Sequence, residues 1–171
     1  MGEALIQVQE LARAAREYCD VIEHLDGGRG DWLHRLSCLL PRIHAAVLTL
    51  NNAAGAGSPQ AFVPDYDLRF ELFSRLRDRL GERDRYRLEF DAAEGGTSMS
   101  GSLADDITDI YFELKRGLEM LEHDPQHPTR AASAWRSGFL WHWGQHLVDA
   151  ERHLYELQVS EQLFPRIGLA H

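Results

Sequence analysis

"LADDITDIYFELKRGLEMLEH", residues 103 to 123, decides the fold. Leu103, Ile107, Ile110, Leu114, Leu118 and Leu121 recur at steps of three and four, so on a helix they form one apolar stripe. Such a stripe needs a partner surface, and the flanking sequence offers more helices. At about 100° per residue, Asp106 and Glu113 project at the edge of the stripe, Asp109 points further out and Asp105 nearly away. Ser102, three residues before Asp105, fits the start of a capping box with Asp in the Glu position.

Working outward, residues 3 to 24 place Leu5, Val8, Ala12, Ala15, Cys19 and Ile22 on another stripe, closed by the glycines of "HLDGGRGD". Asp31 is a candidate N-cap for the next helix, where Leu33, Leu36, Leu40, Ile43, Val47 and Leu50 repeat the alternation. Pro41 lies inside that pattern and predicts a kink, because its ring meets the preceding turn and its missing N–H frees a carbonyl. Residues 51 to 67 are rich in Gly, Pro and small side chains and read as a loop. Leu68, Leu72, Phe73, Leu76 and Leu80 resume helical spacing, and Gly81 ends it. "RYRLEFD" alternates Tyr86, Leu88 and Phe90 with polar residues and predicts a short extended stretch, followed by a flexible connection over residues 92 to 102. "HDPQHPTR" separates the 103 to 123 helix from a last one, with Pro128 suited to its first turn. The expected fold is all-α: one domain over residues 1 to 171, an antiparallel bundle of four long helices, one kinked at Pro41, plus a shorter one.

Composition sets the boundaries of function. The formal net charge is −9, which argues against a nucleic-acid partner because phosphate neutralisation needs a basic surface. The arginines of "SRLRDRLGERDRYR" are offset by Asp78, Glu82 and Asp84, and read as a solvated face with internal ion pairs. No apolar run approaches the roughly 18 residues of a membrane span, and the acidic, helically periodic N-terminal stretch does not resemble a signal peptide. No membrane partner and a cytoplasmic location are therefore expected. Cys19 and Cys38 both fall among apolar helical neighbours and read as two buried, reduced thiols.

The last helix poses the functional question. In "FLWHWGQHLVDAERHLYEL", residues 139 to 157, read as one continuous helix, Trp135, Phe139, Ala150 and Leu157 define the apolar stripe. His142, His146, Asp149 and His153 then lie within an arc of roughly 80° overlapping it. A buried polar group without a partner costs on the order of 1 to 3 kcal/mol, so something must satisfy these side chains. A metal-free network is one answer, in which the histidines bond to Asp106, Glu113 and Asp149 and to the indoles of Trp141 or Trp143. A divalent metal, whether Zn, Mn, Fe or Mg, is the other, with His142 and His146 at i and i+4, Asp149 a turn further, and Asp106 or Glu113 reaching across from the facing helix. Histidines on one helical face more often pack than ligate, which favours the network.

"GSLADDITDIYFELKRGLEML" and "AWRSGFLWHWGQHLVDAERHLYEL", with "REYCDVIE" and "LFSRLRDRLGERDRYRLEFD", together resemble the bacterial domain-of-unknown-function family numbered five-zero-six-three. The resemblance covers most of the chain and is strongest after residue 100. It implies an all-helical, soluble bacterial protein and leaves the activity open. The family's acidic stretch corresponds to Asp105, Asp106 and Asp109, and its Trp, His and Gly run to His142, Trp143, Gly144 and His146. Ile107 and Thr108 stand where Leu and Ala are usual.

The function classes that follow differ in kind. With no Gly-rich phosphate loop, nucleophile elbow or Cys-His pairing, the favoured one is a non-catalytic module that binds a protein or small molecule, with a buried His/Asp cluster. The alternative is a divalent-metal protein or a metal-dependent hydrolase resembling the all-helical nucleotide pyrophosphatases, with "DDITD" as one carboxylate group and Glu17 and Asp20 as a second pair. A ligand-free scaffold is the third.

Overall fold

The computed structural model of the chain describes residues 2–25, 32–50, 65–90 and 97–160. The expected Asp31 cap and most of the loop from residue 51 lie outside them. Helices α1 (Gly2–Glu23), α2 (Trp32–Thr49), α3 (Tyr66–Leu80) and α4 (Leu103–His123) follow the four stripes read from the sequence, and α2 runs through Pro41 without a break. A last helical stretch comprises α5 (Pro128–Gly138), a π-helical turn (Phe139–Trp143) and α6 (Gly144–Val159). Among the described residues, no helix is long and apolar enough to cross a membrane.

The fold is a helical bundle with α4 at its centre, in contact with α1, α3, α5 and α6, while α2 packs between α1 and α6. Leu11, Ile22, Leu33, Leu40, Leu76, Leu103 and Ile107 are each fully enclosed, so stripes from four helices meet in one apolar cluster. Burial of that area is the main favourable contribution to folding. Two long side chains inside the cluster carry polar atoms that are bonded to α4 carbonyls. The Tyr18 hydroxyl donates to the Ile107 carbonyl at 3.0 Å, and the Trp135 indole N–H to the Leu114 carbonyl at 3.2 Å. Trp135 lies flat on α4 at Gly117, where an added Cβ would stand 2.0 Å from the indole nitrogen.

Two sequence expectations change here. Residues 97 to 102 were expected to be part of a flexible connection, but they form β2 (Thr97–Ser102), paired antiparallel with β1 (Arg85–Phe90) so that Arg85 faces Ser102 and Tyr86 faces Gly101. The small residues of β2 lack the alternation that marks a strand, and its register comes from β1 and from the start of α4. Cys38 is exposed, unlike buried Cys19, because it stands off the stripe that α2 turns inward.

The hairpin leads directly into α4, whose start is capped from two sides. Ser102 accepts from the Asp105 N–H, as the capping-box reading requires. Buried Asp84 supplies the rest: its carboxylate accepts from the Ala104 N–H at 2.8 Å and the Ser102 hydroxyl at 2.9 Å, and its carbonyl accepts from the Leu103 N–H. A carboxylate at this end also meets the positive pole of the helix dipole.

The π turn sets the register of the last helix. Continuing the α5 stripe of Ala131 and Trp135 with α-helical spacing leads to positions 138, 142, 146, 149 and 153, but the π turn adds a residue, and the core positions become Trp143, Leu147, Ala150, Leu154 and Leu157. The Gly144 N–H reaches back to the Phe139 carbonyl, and a Cβ on Gly144 would stand 2.3 Å from that oxygen. Of the stripe read as Trp135, Phe139, Ala150 and Leu157, three are buried, but Phe139 is only partly so and packs edge-on against Trp143, which is fully enclosed. Gly144→Ala should therefore destabilise the fold by about 1 to 3 kcal/mol through forced displacement of the turn, measured as a lower urea midpoint. Trp135→Ala should cost about 3 to 5 kcal/mol. A Gly144→Ala midpoint equal to the parent's would mean that the turn tolerates a side chain there.

Candidate metal centre

Three carboxylates and two imidazoles meet where α4 faces the π turn and the start of α6. The register shift carries His142 and His146 off the core stripe and toward the acidic edge of α4. His146 lies between two carboxylates: its Nδ1 is 2.8 Å from Asp106 Oδ1 and its Nε2 is 3.0 Å from Asp109 Oδ2. His142 approaches the same Asp109 oxygen, with Nε2 at 3.3 Å, and its Nδ1 is 3.5 Å from Glu113 Oε1. The two rings stand edge to face at 5.2 Å. One oxygen of Asp109 and one nitrogen from each histidine lie within 4.8 Å of one another, close enough to share a cation.

Asp109 is the residue the sequence reading left out. On an isolated helix it points away from the apolar stripe, yet it is buried at 5 % exposure because α3 covers that side of α4. Arg69 of α3 pairs with its other oxygen, Oδ1, and lies over the Phe112 ring. The wheel of one helix cannot show which neighbour covers its flank.

Asp106 is held as firmly. Its Oδ2 accepts a 2.5 Å hydrogen bond from the Tyr86 hydroxyl of β1, opposite the Oδ1 bond to His146. Burial pushes the Asp106 carboxyl up, while the His146 and Tyr86 bonds pull it down. The hydrogen bond to Asp106 raises His146 above its ordinary value, against burial. Burial and the same carboxylate push the Tyr86 hydroxyl up, which keeps it a donor.

The other expected members stand apart. Asp149 is buried but accepts from the Gln145 side-chain amide at 2.9 Å. His153 lies under the hairpin, its Nε2 donating to the Arg83 carbonyl at 2.7 Å and its ring against Tyr86. Neither tryptophan expected to serve the network does so: the Trp143 indole donates to the Trp135 carbonyl, and Trp141 is 82 % exposed. Glu17 pairs with Arg42 and Asp20 with His24, so the second carboxylate pair of the pyrophosphatase pattern is engaged elsewhere.

The arrangement defines a class, a helical bundle with a half-buried His/carboxylate cluster between its central and last helices. The family model of the domain of unknown function DUF5063 matches residues 5–160, and the chain belongs to that family. Its fold is similar to that in the crystal structure of protein BF1032 from Bacteroides fragilis, at 23 % identity over 95 % of this chain and 96 % of that one, with a TM-score of 0.72. No curated protein matches the chain.

The raised His146 gives the cluster a pH signature in metal-free protein. Its stabilising contribution should be complete below the unfolded value of about 6.5 and be lost as pH rises through the higher folded value. The urea midpoint of the parent should therefore fall relative to His146→Gln between about pH 6 and pH 8.5. Parallel profiles would contradict a raised value.

Proposed function

We propose that this protein binds a divalent transition metal through His142 Nε2, His146 Nε2 and Asp109 Oδ2. The observation that carries this reading is the convergence of those three atoms on one point from two helices. The surroundings support it. Asp106 bonds to Nδ1 of His146, which orients that ring and leaves Nε2 as the donor toward a cation, and Glu113 approaches Nδ1 of His142 at 3.5 Å. Two imidazoles and one carboxylate suit iron, manganese or zinc, whereas magnesium prefers oxygen donors. Three protein ligands leave coordination positions for water or a small molecule, and His142, at 45 % side-chain exposure, puts them within reach of solvent.

A second reading, an interaction module whose cluster needs no metal, is favoured by the outer side of α6, where Val148, Tyr155 and Val159 are exposed. Metal content separates the two. Protein purified without a histidine tag from metal-supplemented growth should carry about one zinc, manganese or iron per chain by plasma mass spectrometry. His146→Ala and Asp109→Asn should each lose it with helicity retained, and Asp149→Asn should keep it. Metal-free parent protein would overturn the metal reading, and retention by Asp109→Asn would overturn the ligand set.

A further inference from the structure

Tyr86 reaches the candidate metal centre from outside the helices that supply its ligands. Asp109 comes from α4, whereas His142 and His146 come from the π turn and α6. The start of the β-hairpin is tied to both sides. Asp84 accepts from the Ala104 N–H of α4, His153 of α6 bonds to the Arg83 carbonyl at 2.7 Å, and Arg152 of α6 donates to the Arg87 carbonyl at 2.9 Å. Between these anchors β1 turns Tyr86 inward, and its hydroxyl donates to Asp106 Oδ2 at 2.5 Å.

The Tyr86 ring is confined on several sides. It is 6 % exposed, its centroid lies 4.7 Å from that of the His153 ring, and the Arg152 guanidinium stands over it. Across the hairpin it faces Gly101, where an added Cβ would stand 2.2 Å from two ring carbons and 2.6 Å from the hydroxyl oxygen. Gly101 thus leaves the space that the ring fills, and any side chain at that position would push the hydroxyl away from Asp106.

Asp106 passes this constraint on. The residue is 3 % exposed, so each of its carboxylate oxygens needs a partner within the protein. Oδ2 has the Tyr86 hydroxyl, and Oδ1 lies 2.8 Å from His146 Nδ1. With both bonds made, the carboxylate has one orientation, and His146 Nε2 faces Asp109 Oδ2 at 3.0 Å. Without the hydroxyl, the carboxylate would be free to turn about its Cβ–Cγ bond, and the imidazole would lose its fixed aim.

We propose that Tyr86 is a positioning residue for the metal centre: its hydroxyl locks Asp106, Asp106 aims His146 Nε2 at the cation, and the β-hairpin thereby sets metal affinity without contributing a ligand. This role presupposes a metal held by His142, His146 and Asp109.

The test is titration of chelator-treated protein with zinc and, separately, manganese, against a chromophoric competing chelator. Tyr86→Phe keeps the ring and removes only the hydroxyl, so it should bind roughly tenfold more weakly with helicity unchanged. Gly101→Ala keeps the hydroxyl but displaces it from the opposite strand, and should weaken binding to a similar extent. Asp106→Ala should weaken binding too, and adding Tyr86→Phe to it should change nothing further, because the hydroxyl acts only through that carboxylate. A hydroxyl that merely stabilised the hairpin would weaken binding in both backgrounds alike. Parent-like affinity in Tyr86→Phe or Gly101→Ala, or a Tyr86→Phe loss that persists in the Asp106→Ala protein, would each overturn the proposal. A parent protein that binds neither ion would instead overturn the metal reading, and this role with it.

Discussion

The hydrogen bond from the Gly144 N–H to the Phe139 carbonyl sets the register on which the rest of the last helix depends. It widens one turn and inserts a residue, so α5 and α6 bury different helical phases. Without it, continuing the Trp135 stripe would bring His142, His146, Asp149 and His153 to the core positions. With it, Trp143, Leu147, Ala150, Leu154 and Leu157 fill the core, and the polar row rotates onto a flank. The absence of a side chain on Gly144 lets the carbonyl come that close.

On that flank the polar side chains divide between two surroundings. His142 and His146 meet the acidic edge of α4, where Asp106, Asp109 and Glu113 supply negative charge and Arg69 balances part of it. Asp149 and His153 lie further along α6, with His153 under the β-hairpin. Burying several carboxylates in one place is unfavourable unless each gains a bond or an opposite charge. Asp106 has two such bonds and Asp109 has a guanidinium and two imidazoles. A cation among His142, His146 and Asp109 would relieve the remaining repulsion.

The hairpin connects these regions. Asp84, just before β1, caps α4 and so fixes the end of the helix that carries Asp106 and Asp109. Tyr86 bonds to Asp106 through its hydroxyl and presents its ring to Arg152 and His153. The surface beside Arg152 and His153 is thus one side chain from the His/carboxylate cluster. The arginines of residues 74 to 87 read as a solvated face, and Arg85 and Arg87 are exposed on the face of β1 opposite Tyr86, while Arg152, distant in sequence, reaches the Arg87 carbonyl.

The sequence by itself determined the helices, because the spacing of Leu and Ile depends only on the geometry of one helix, and α1 through α4 lie where those stripes ran. The same local chemistry marked Ser102, Gly81 and Pro128 as helix boundaries, and His142, His146, Asp106 and Glu113 as polar groups on or beside an apolar face. Tertiary structure decided what that local geometry leaves open. Asp109 joins the cluster because α3 covers its side of α4. Asp149 bonds to Gln145 instead, since the π turn shifts the phase of α6. β2 exists because β1 and the α4 cap align a stretch with no strand pattern of its own. The first and last of these depend on another element packed alongside, and the second on a single widened turn; the periodicity of one α-helical segment contains neither.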